Sequence, residues 1–600
     1  MNIHIISDKF KRSQIFSLIM VSSRKSKKYQ APKNFQDTSL QKGLGSIQHL
    51  LSTKRIKRKQ PQNSPMTLVK MKNTLLMQMY TRGSPQKAEG LLAETGEVVY
   101  DFAKEILKSN VPKDTLTEFV KLHKHDHGRK LFTVSPSTLT NNLQTIRQKD
   151  ADLALSKQIV AIQANLQKQG LWSSTDIVSV DPTDTYYRGK YRNQYHNWGI
   201  TGQKPTYKRC YKELTTFSSP NQFITGSTIA PVLSKDKKSR SLPLWISQIQ
   251  GLLRDSLANN QDVPLIMGDR EYYSSLGMAF SYFGLWLPEN RLEENPRLLC
   301  PTKHWGNNAL KKWEFLLNRN SPKISVHSME IEHYQAKFLG GALHRLPQTP
   351  RKTRFLIPVA RVAVFDAYGN GHRIESLDWG RNEAYKIKNQ IRKAQTHLHV
   401  METKYLQFQQ QKSKKSPQLP KYKGAGRRVF KDKREKIFYQ KCMDAHEGLQ
   451  RILKKKTNLL KRLMFFTLSL RENETIVGKE EEFLTLIRYY HQRWGIECAF
   501  KDLRGKFWLR TNSRKPSARH VRYILGCMMY NAWHYRRLMR IGRAAKQSEA
   551  SWKPYDDQFV PFRKKYERQF RPILTAQGFI LEEMKKSLRI CVKQAVTCIS

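Results

Sequence analysis

Near residue 175 the chain changes from helical periodicity to short apolar segments separated by turn residues, and this change restricts the fold more than any other feature. The segments with strand character lie at 177–180, 207–214, 223–232 and 263–268, and an amphipathic helix is indicated at 242–257. The order is therefore three strands of antiparallel type, a helix and a further strand. This is the layout of a ribonuclease-H-like core, a mixed α/β fold in which ligands lie at strand ends.

An acidic residue follows the first and the last of these predicted strands. Asp181 and Asp269 are 269 − 181 = 88 residues apart, a separation that suits such a core. Each aspartate by itself is explained as a turn or cap residue, and Asp176 and Asp184 keep that interpretation. As a pair at two strand ends, Asp181 and Asp269 become candidate ligands of a shared site.

Residues 490–504, with the sequence YHQRWGIECAFKDLR, are rich in cations and include Glu497, a candidate functional carboxylate. On a helix of about 100° per residue, the side chains that share one edge are Tyr490, Arg493, Glu497, Lys501 and Arg504. The adjoining apolar stripe, which would anchor the helix to a core, comprises Tyr489, Ile496, Phe500 and Leu503. One carboxylate among cations suits a site for phosphates and metal ions. The alternative is a surface helix with ion pairs such as that of Glu497 with Lys501.

This edge resembles the Y-x2-R-x3-E-x6-K pattern of DDE transposases of the insertion-sequence-four type. Tyr490, Arg493 and Glu497 match the pattern, whereas position 504 is arginine instead of lysine. The sequence VDPT at 180–183 is similar to the D-x-T strand end of that family, and GDREYY at 268–273 resembles its D-R-x-(F/Y) turn. The resemblance spans roughly 175–540 and includes YNAW at 530–533.

The resemblance implies cut-and-paste DNA transposition, with nicking and strand cleavage at the transposon ends followed by joining to target DNA. Asp181, Asp269 and Glu497 would be the catalytic residues and the metal ligands. Their hard oxygen atoms suit two Mg²⁺ ions, with Mn²⁺ as the alternative. Phosphates near the cleaved end would be bound by Tyr490, Arg493 and Arg504, with Lys501 as a further candidate.

The charge of the chain indicates the same class of partner. Lys and Arg less Asp and Glu give 107 − 49 = +58, and such an excess of positive charge implies a polyanion. We expect double-stranded DNA, both transposon ends and target, bound by a homodimer. No apolar segment of about eighteen residues is present, so no membrane partner is expected, and the predicted location is cytoplasmic, at a prokaryotic nucleoid. The seven cysteines include no C-x-x-C motif, so a zinc knuckle or a disulfide framework is not predicted.

The remaining stretches give the predicted domain organisation. The 497 − 269 = 228 residues between Asp269 and Glu497 are too many for a simple crossover and indicate an insertion. A run of cations at 412–436 within it predicts binding of DNA without sequence preference. The predicted parts are a basic, disordered arm at 1–65, a helical DNA-binding region at 66–172, the ribonuclease-H-like core at 173–297 and 463–545, an insertion of strands and a charged helical hairpin at 298–462, and a C-terminal helical tail at 546–600.

Two other functions fit these residues. A ribonuclease-H-like nuclease without strand transfer would have the same acidic site, and only a DNA-joining assay separates it from a transposase. A catalytically silent DNA-binding protein derived from a transposase is disfavoured, because all three acidic residues are present at strand or helix positions.

Overall fold

The structure is a computed structural model that describes residues 65–107, 124–173, 175–186, 197–201, 204–230, 262–268, 275–286, 295–302, 309–331, 355–366, 377–412, 417–420, 432–509, 515–547 and 575–597, with isolated residues between these ranges. Asp269 lies outside the described residues, and so do residues 1–64 of the predicted basic arm. None of the helices in the described ranges has the length and apolar character needed to cross a membrane.

Helices come first along the chain, and an antiparallel group of strands follows them. The first elements are α1 (Pro65–Thr81), α2 (Pro85–Leu107), α3 (Pro136–Thr145), α4 (Gln148–Lys168), β1 (Thr175–Tyr186), β2 (Asn197–Thr201), β3 (Lys204–Ser218) and β4 (Phe223–Ala230). Helix α3 begins as its sequence predicts, because the Ser135 side chain accepts a hydrogen bond from the backbone N–H of Thr138 and Pro136 occupies the first turn.

Strands alternate with helices in the middle of the chain, and the end of the chain is helical. The middle elements are β5 (Asp262–Gly268), α5 (Ser275–Tyr282), β6 (Arg297–Pro301), α6 (Ala309–Leu317), β7 (Ile324–Ile331), β8 (Phe355–Asp366), β9 (Ile374–Glu375), α7 (Leu377–Lys412), α8 (Lys433–Arg462) and β10 (Leu463–Ser469). The last elements are α9 (Glu480–Arg488), a 3₁₀ helix (Tyr489–Arg493), α10 (Trp494–Asp502), a π-helical turn (Leu503–Phe507), α11 (Pro516–Gln547) and α12 (Ala576–Thr597). The fold is therefore mixed α/β, as predicted, while the ribonuclease-H-like topology stays a prediction.

The chain forms two compact units, one of residues 1–264 with 493–600 and the other of residues 265–492. In the first unit, β3 pairs antiparallel with β1, β2 and β4. Buried side chains of α1, α3, α4, α11 and α12 pack into one apolar core, which also receives Phe217 and Phe223 from the strands. This core holds the helical segment that carries Glu497, through Ile496, Phe500 and Leu503.

Strand β1 is longer than the sequence predicted and runs through Asp181 instead of ending there. Its residues pair with β3 from Val178 opposite Ser218 to Tyr186 opposite Cys210. The sequence predicted a strand at 177–180 because the apolar run stops there and polar residues follow it. The prediction that Asp181 ends the strand is wrong, since antiparallel pairing with β3 continues on both sides of Pro182.

In the second unit, the part of β5 from Leu265 pairs parallel with β6, and β6, β10, β8 and β7 follow as antiparallel neighbours. Helices α7 and α8 form an antiparallel hairpin beside these strands. At its base Ile387 and Leu459 share an apolar cluster with strand residues, and at its far end Tyr405 meets Tyr439 with ring centroids 6.2 Å apart. The charged helical hairpin predicted within the insertion is therefore present, with its two helices at Leu377–Lys412 and Lys433–Arg462.

A buried histidine links three elements of the first unit. His520 of α11 is fully buried, with Nδ1 at 2.7 Å from Oε2 of Glu213 in β3 and Nε2 at 2.5 Å from Oδ1 of Asp152 in α4. Burial by itself would lower the pKa of His520, but the charges and hydrogen bonds of Glu213 and Asp152 raise this pKa to about 10. Both ring nitrogens therefore carry protons at neutral pH, and the imidazolium donates to a carboxylate on each side.

We expect His520→Gln to destabilise the first unit at neutral pH, because the substitution leaves the buried Glu213 carboxylate without its cation. Removal of one partner from a buried ion pair costs about 3–5 kcal/mol. Because the pKa of His520 rises from 6.5 to about 10 on folding, its contribution is complete below pH 6.5 and is lost as the pH rises through about 10. Urea denaturation over this pH range should show the free-energy gap between parent and variant narrowing with increasing pH.

The matched control is His397→Gln, which changes an exposed histidine on α7 and should leave the unfolding free energy unchanged. If the difference in unfolding free energy between the parent and His520→Gln stays constant as the pH rises, the imidazole of His520 is neutral in the folded protein.

Candidate active site

Asp181 lies in the middle of β1, opposite Thr215 of β3, and its side chain is 13% exposed. Thr183 follows two residues later, and alternate residues of a strand point to the same face. Asp181 and Thr183 therefore present a carboxylate and a hydroxyl on one face of β1. Asp176 and Asp184 lie on the same strand without joining them; Asp176 is buried and accepts a hydrogen bond of 2.6 Å from Ser218.

The segment with Glu497 is helical throughout, but it is not the single α-helix that the sequence predicted. A 3₁₀ helix occupies Tyr489–Arg493, regular α-helix continues through Asp502, and a π-helical turn covers Leu503–Phe507. A 3₁₀ helix advances about 120° per residue instead of 100°, which moves side chains out of the predicted register. Tyr489 is accordingly 38% exposed, and its assignment to the apolar stripe is wrong.

Gly495 allows this segment to approach β3 closely. A Cβ atom at position 495 would lie 2.9 Å from a ring carbon of Phe217, a distance that packed side chains do not tolerate. Phe217 is fully buried in the core below. The absence of a side chain at 495 therefore sets how near Arg493 and Glu497 come to the strands.

Arg493 brings the two predicted carboxylates of this unit together. Its Nη1 lies 3.2 Å from Oδ2 of Asp181, and its Nη2 lies 2.5 Å from Oε1 of Glu497. The Arg493 side chain is 12% exposed and that of Glu497 is 32% exposed. A single guanidinium thus bridges Asp181 and Glu497, which are 497 − 181 = 316 residues apart in sequence. Glu497 pairs with this arginine one turn before it, instead of with Lys501 one turn after it.

Arg504 also contacts β1, although it lies in the π-helical turn. Its Nη2 donates a hydrogen bond of 2.5 Å to Oγ1 of Thr183, which is 3% exposed. Arg493 and Arg504 therefore contact neighbouring positions on the same face of β1. Lys501 and Arg504 are both exposed, and of these two cations Arg504 is the one that the structure connects to the strand, through its hydrogen bond to Thr183.

Tyr490 belongs to the unit of residues 265–492 and packs there against β10. Its ring meets that of Phe466 edge to face, with the centroids 4.7 Å apart. Asp269, the remaining predicted ligand, lies outside the described residues. The structure thus groups Asp181, Arg493 and Glu497, places Arg504 beside them through Thr183, and describes Tyr490 within the other unit.

Within the described ranges, no group of three or more His, Cys, Asp or Glu side chains is arranged to hold a metal ion. The carboxylates of Asp181 and Glu497 are nevertheless held at one guanidinium, and carboxylate oxygens are the ligands that Mg²⁺ prefers. Two such ligands are also the number that Mg²⁺ takes from many proteins, with water and substrate phosphate completing its shell. The donor set therefore fits a divalent ion, which Asp181 and Glu497 would hold.

Sequence reasoning did not single out Thr183 or Gly495 as parts of this site. The alternation of side chains along β1 could have identified Thr183, because it lies two residues after Asp181 in the D-x-T segment. Nothing in the sequence signals the role of Gly495, because it depends on the position of Phe217 in a strand some 280 residues earlier, 495 − 217 = 278.

Comparison with known proteins supports a relationship between this chain and the DDE transposases. Residues 348–532 match the family model described as the transposase DDE domain. The matched range contains Arg493, Glu497 and Arg504, whereas Asp181 precedes it. No curated protein sequence matches the chain.

Among solved structures, the chain is similar to a piggyBac transposase determined by cryo-EM in a synaptic complex with hairpin DNA. The alignment covers 97% of this chain and 85% of that chain, with 10% sequence identity and a TM-score of 0.32. A TM-score of this size is too low to define a shared fold.

We expect Arg493→Ala to lower the thermal stability of metal-free protein, because it leaves Asp181 and Glu497 close together without their shared cation. The loss of a partner from a mostly buried charged group costs about 1–3 kcal/mol. Mg²⁺ should restore more stability to this variant than to the parent, since an ion bound between the carboxylates replaces the missing positive charge. Thermal denaturation with EDTA and with Mg²⁺ measures both effects.

Arg488→Ala is the control for this prediction, because Arg488 lies on α9, is 51% exposed and faces the exposed Glu481 at 3.6 Å. It should change stability by less than about 0.5 kcal/mol. If the two variants behave alike in both buffers, Arg493 does not hold the carboxylates together in solution.

Proposed function

We propose that this protein is a transposase that cleaves DNA at transposon ends and joins those ends to target DNA in a metal-dependent, cut-and-paste reaction. The observation that carries the proposal is the bridge from Arg493 to Asp181 and Glu497. Two acidic residues of the predicted triad, remote in sequence, converge on the arginine that the transposase pattern requires. The match of residues 348–532 to the transposase DDE domain supports the same conclusion.

In the proposed site, Asp181, Glu497 and Asp269 would hold two Mg²⁺ ions, or Mn²⁺ in their place, through carboxylate oxygens. Bound ions of this kind supply activation of water or a DNA 3′-hydroxyl and stabilise the leaving oxygen in an in-line displacement at phosphorus. Arg493 keeps the Asp181 and Glu497 carboxylates at one position before any ion binds. This arrangement reduces the repulsion between the two negative charges and fixes their orientation.

The cations around the carboxylates would bind the DNA strand. Arg504 and Lys501 present positive charge beside Glu497, and Tyr490 offers a phenolic hydroxyl to a phosphate near the cleaved end. A guanidinium carries five N–H donors, so the two carboxylate contacts of Arg493 are compatible with a phosphate contact as well. The proposed partners are double-stranded transposon ends and target DNA, bound by two copies of the chain.

We expect Asp181→Asn, Asp269→Asn and Glu497→Gln each to abolish cleavage of a labelled transposon-end duplex while leaving its binding nearly intact. Each substitution removes one negatively charged ligand and preserves the size of the side chain. Cleavage and joining in Mg²⁺, with binding measured by gel shift, test this expectation. A protein that cuts the ends and never joins them is a nuclease of the same fold class.

Asp184→Asn is the matched control for these three variants, because Asp184 lies on the same strand as Asp181, three residues away and on the other face. It should cleave at the parent's rate. Cleavage near that rate by any of the three variants would remove its residue from the set of ligands.

We expect Arg504→Ala to impair cleavage or end binding more than Lys501→Ala, because Arg504 is connected to β1 through Thr183 and Lys501 is exposed. Arg504→Lys should retain much of the activity, since lysine keeps the charge and loses only the bidentate fork. Cleavage rates of the three variants on one labelled duplex give the ranking. The reverse order would move the phosphate contact to Lys501.

A further inference from the structure

We propose that the half of the α7–α8 hairpin nearest the strands binds the backbone of duplex DNA through a belt of exposed cations, an inference that rests on the proposed function. The belt is the set of exposed basic residues in 384–396 of α7 and 449–462 of α8. Its members are Lys386, Lys388, Arg392, Lys393, Arg451, Lys454, Lys455 and Lys461, of which Lys386 also pairs at 2.8 Å with Glu383, the residue just before the first segment.

Charge is strongly segregated along the hairpin. The segments 384–396 and 449–462 contain no Asp or Glu, whereas residues 432–448 contain four cations and four acids and carry no net charge. Two of those acids have partners near the far end: Asp432 caps α8 and pairs with Lys412, and Glu435 accepts a hydrogen bond from the Tyr405 hydroxyl. A solvated helix face usually interleaves opposite charges, so ten Lys and Arg residues without an acid in the two segments indicate a polyanionic partner.

The belt lies on a rigid support. Apolar residues of both helices join the core of the second unit, where Ala384 and Ile387 of α7 and Leu459 and Leu460 of α8 are buried in one cluster. The ammonium of Lys456 lies 4.5 Å from the ring centroid of Trp313, which fixes α8 against α6. Charges on such a support keep their spacing, so binding does not require the helices to become ordered.

The side-chain spacing along each helix gives rows of charge. Lys388 and Arg392 are one turn apart on α7, and Arg451 and Lys455 are one turn apart on α8. The fourteen residues 449–462 extend over about 21 Å of helix. Duplex DNA carries one negative charge per about 1.7 Å of its axis when both strands are counted, so a duplex segment of this length carries about twelve phosphates on its two strands.

Duplex DNA fits this surface better than an anionic membrane. A helix that lies on a membrane inserts an apolar face between the lipids. Here the apolar faces of α7 and α8 are buried against each other and against the core. The large hydrophobic residues that are exposed on the hairpin, including Trp379, Val400 and Ile437, all lie outside the two belt segments.

The test compares two variants with the same loss of charge on the same hairpin, one substitution on each helix. The belt variant is Lys393→Gln with Lys455→Gln; the tip variant is Lys404→Gln with Lys441→Gln, which lie outside both the belt and the 412–436 run, and all four positions are exposed. Glutamine is a good helix former, and circular dichroism would verify that both hairpins are folded. Binding of a random-sequence duplex is measured against NaCl concentration in EDTA, where cleavage does not contribute.

The belt variant should reduce the slope of log Kobs against log salt by up to about 1.8, which is about 0.9 for each of two phosphate contacts. The tip variant should leave the slope nearly unchanged. Equal reductions, or a larger reduction in the tip variant, would overturn the proposal in favour of the general charge of the hairpin. Loss of binding to phosphatidylserine vesicles with an unchanged DNA slope would overturn it in favour of a membrane. The binding test does not require cleavage, so it separates this proposal from the proposed function. If the belt binds DNA but the protein never cuts transposon ends, the proposed function is contradicted and the belt proposal is not.

Discussion

The guanidinium of Arg493 is the contact on which the candidate site depends. Asp181 belongs to a strand and Glu497 to a helical segment far along the chain, and both carboxylates lie within 3.2 Å of one arginine. Two carboxylates that contact the same guanidinium would repel each other without it, and the arginine supplies the cation that offsets this repulsion. The rest of the first unit supports this contact, since the packing of Gly495 against the buried Phe217 determines the distance between the helical segment and β3.

The parts of the structure that could be predicted from the sequence are those governed by local patterns. The strand at 263–268 follows from a short run of apolar residues bounded by turn residues, and the N-cap of α3 follows from capping chemistry. The convergence of Asp181 and Glu497 was predicted only because a family pattern linked them, since helical spacing by itself also fits a surface ion pair. The pattern placed Arg493 at a phosphate, and the structure adds two carboxylate partners.

Features that depend on distant residues could not be predicted. The 3₁₀ and π-helical turns on either side of α10 change the angle between successive side chains by a small amount at each residue. Tyr489 is exposed in this arrangement, and Arg504 contacts Thr183. No local signal distinguishes these turns from regular helix. The His520 network is similar: its carboxylates come from α4 and β3, so the sequence shows an unremarkable histidine in a helix until the elements are assembled.

The distribution of charge connects the site with the rest of the chain. A protein with 107 basic and 49 acidic residues surrounds any carboxylate with positive potential, which opposes metal binding at an isolated acid. At the candidate site the two carboxylates share Arg493, and Arg504 adds a second cation that contacts Thr183 on the same face of β1. Further positive charge lies elsewhere, as on the hairpin segments without acids. In the proposed function, attraction of a polyanion would fall on these cations and binding of a divalent ion on Asp181 and Glu497, so the two demands would fall on different residues.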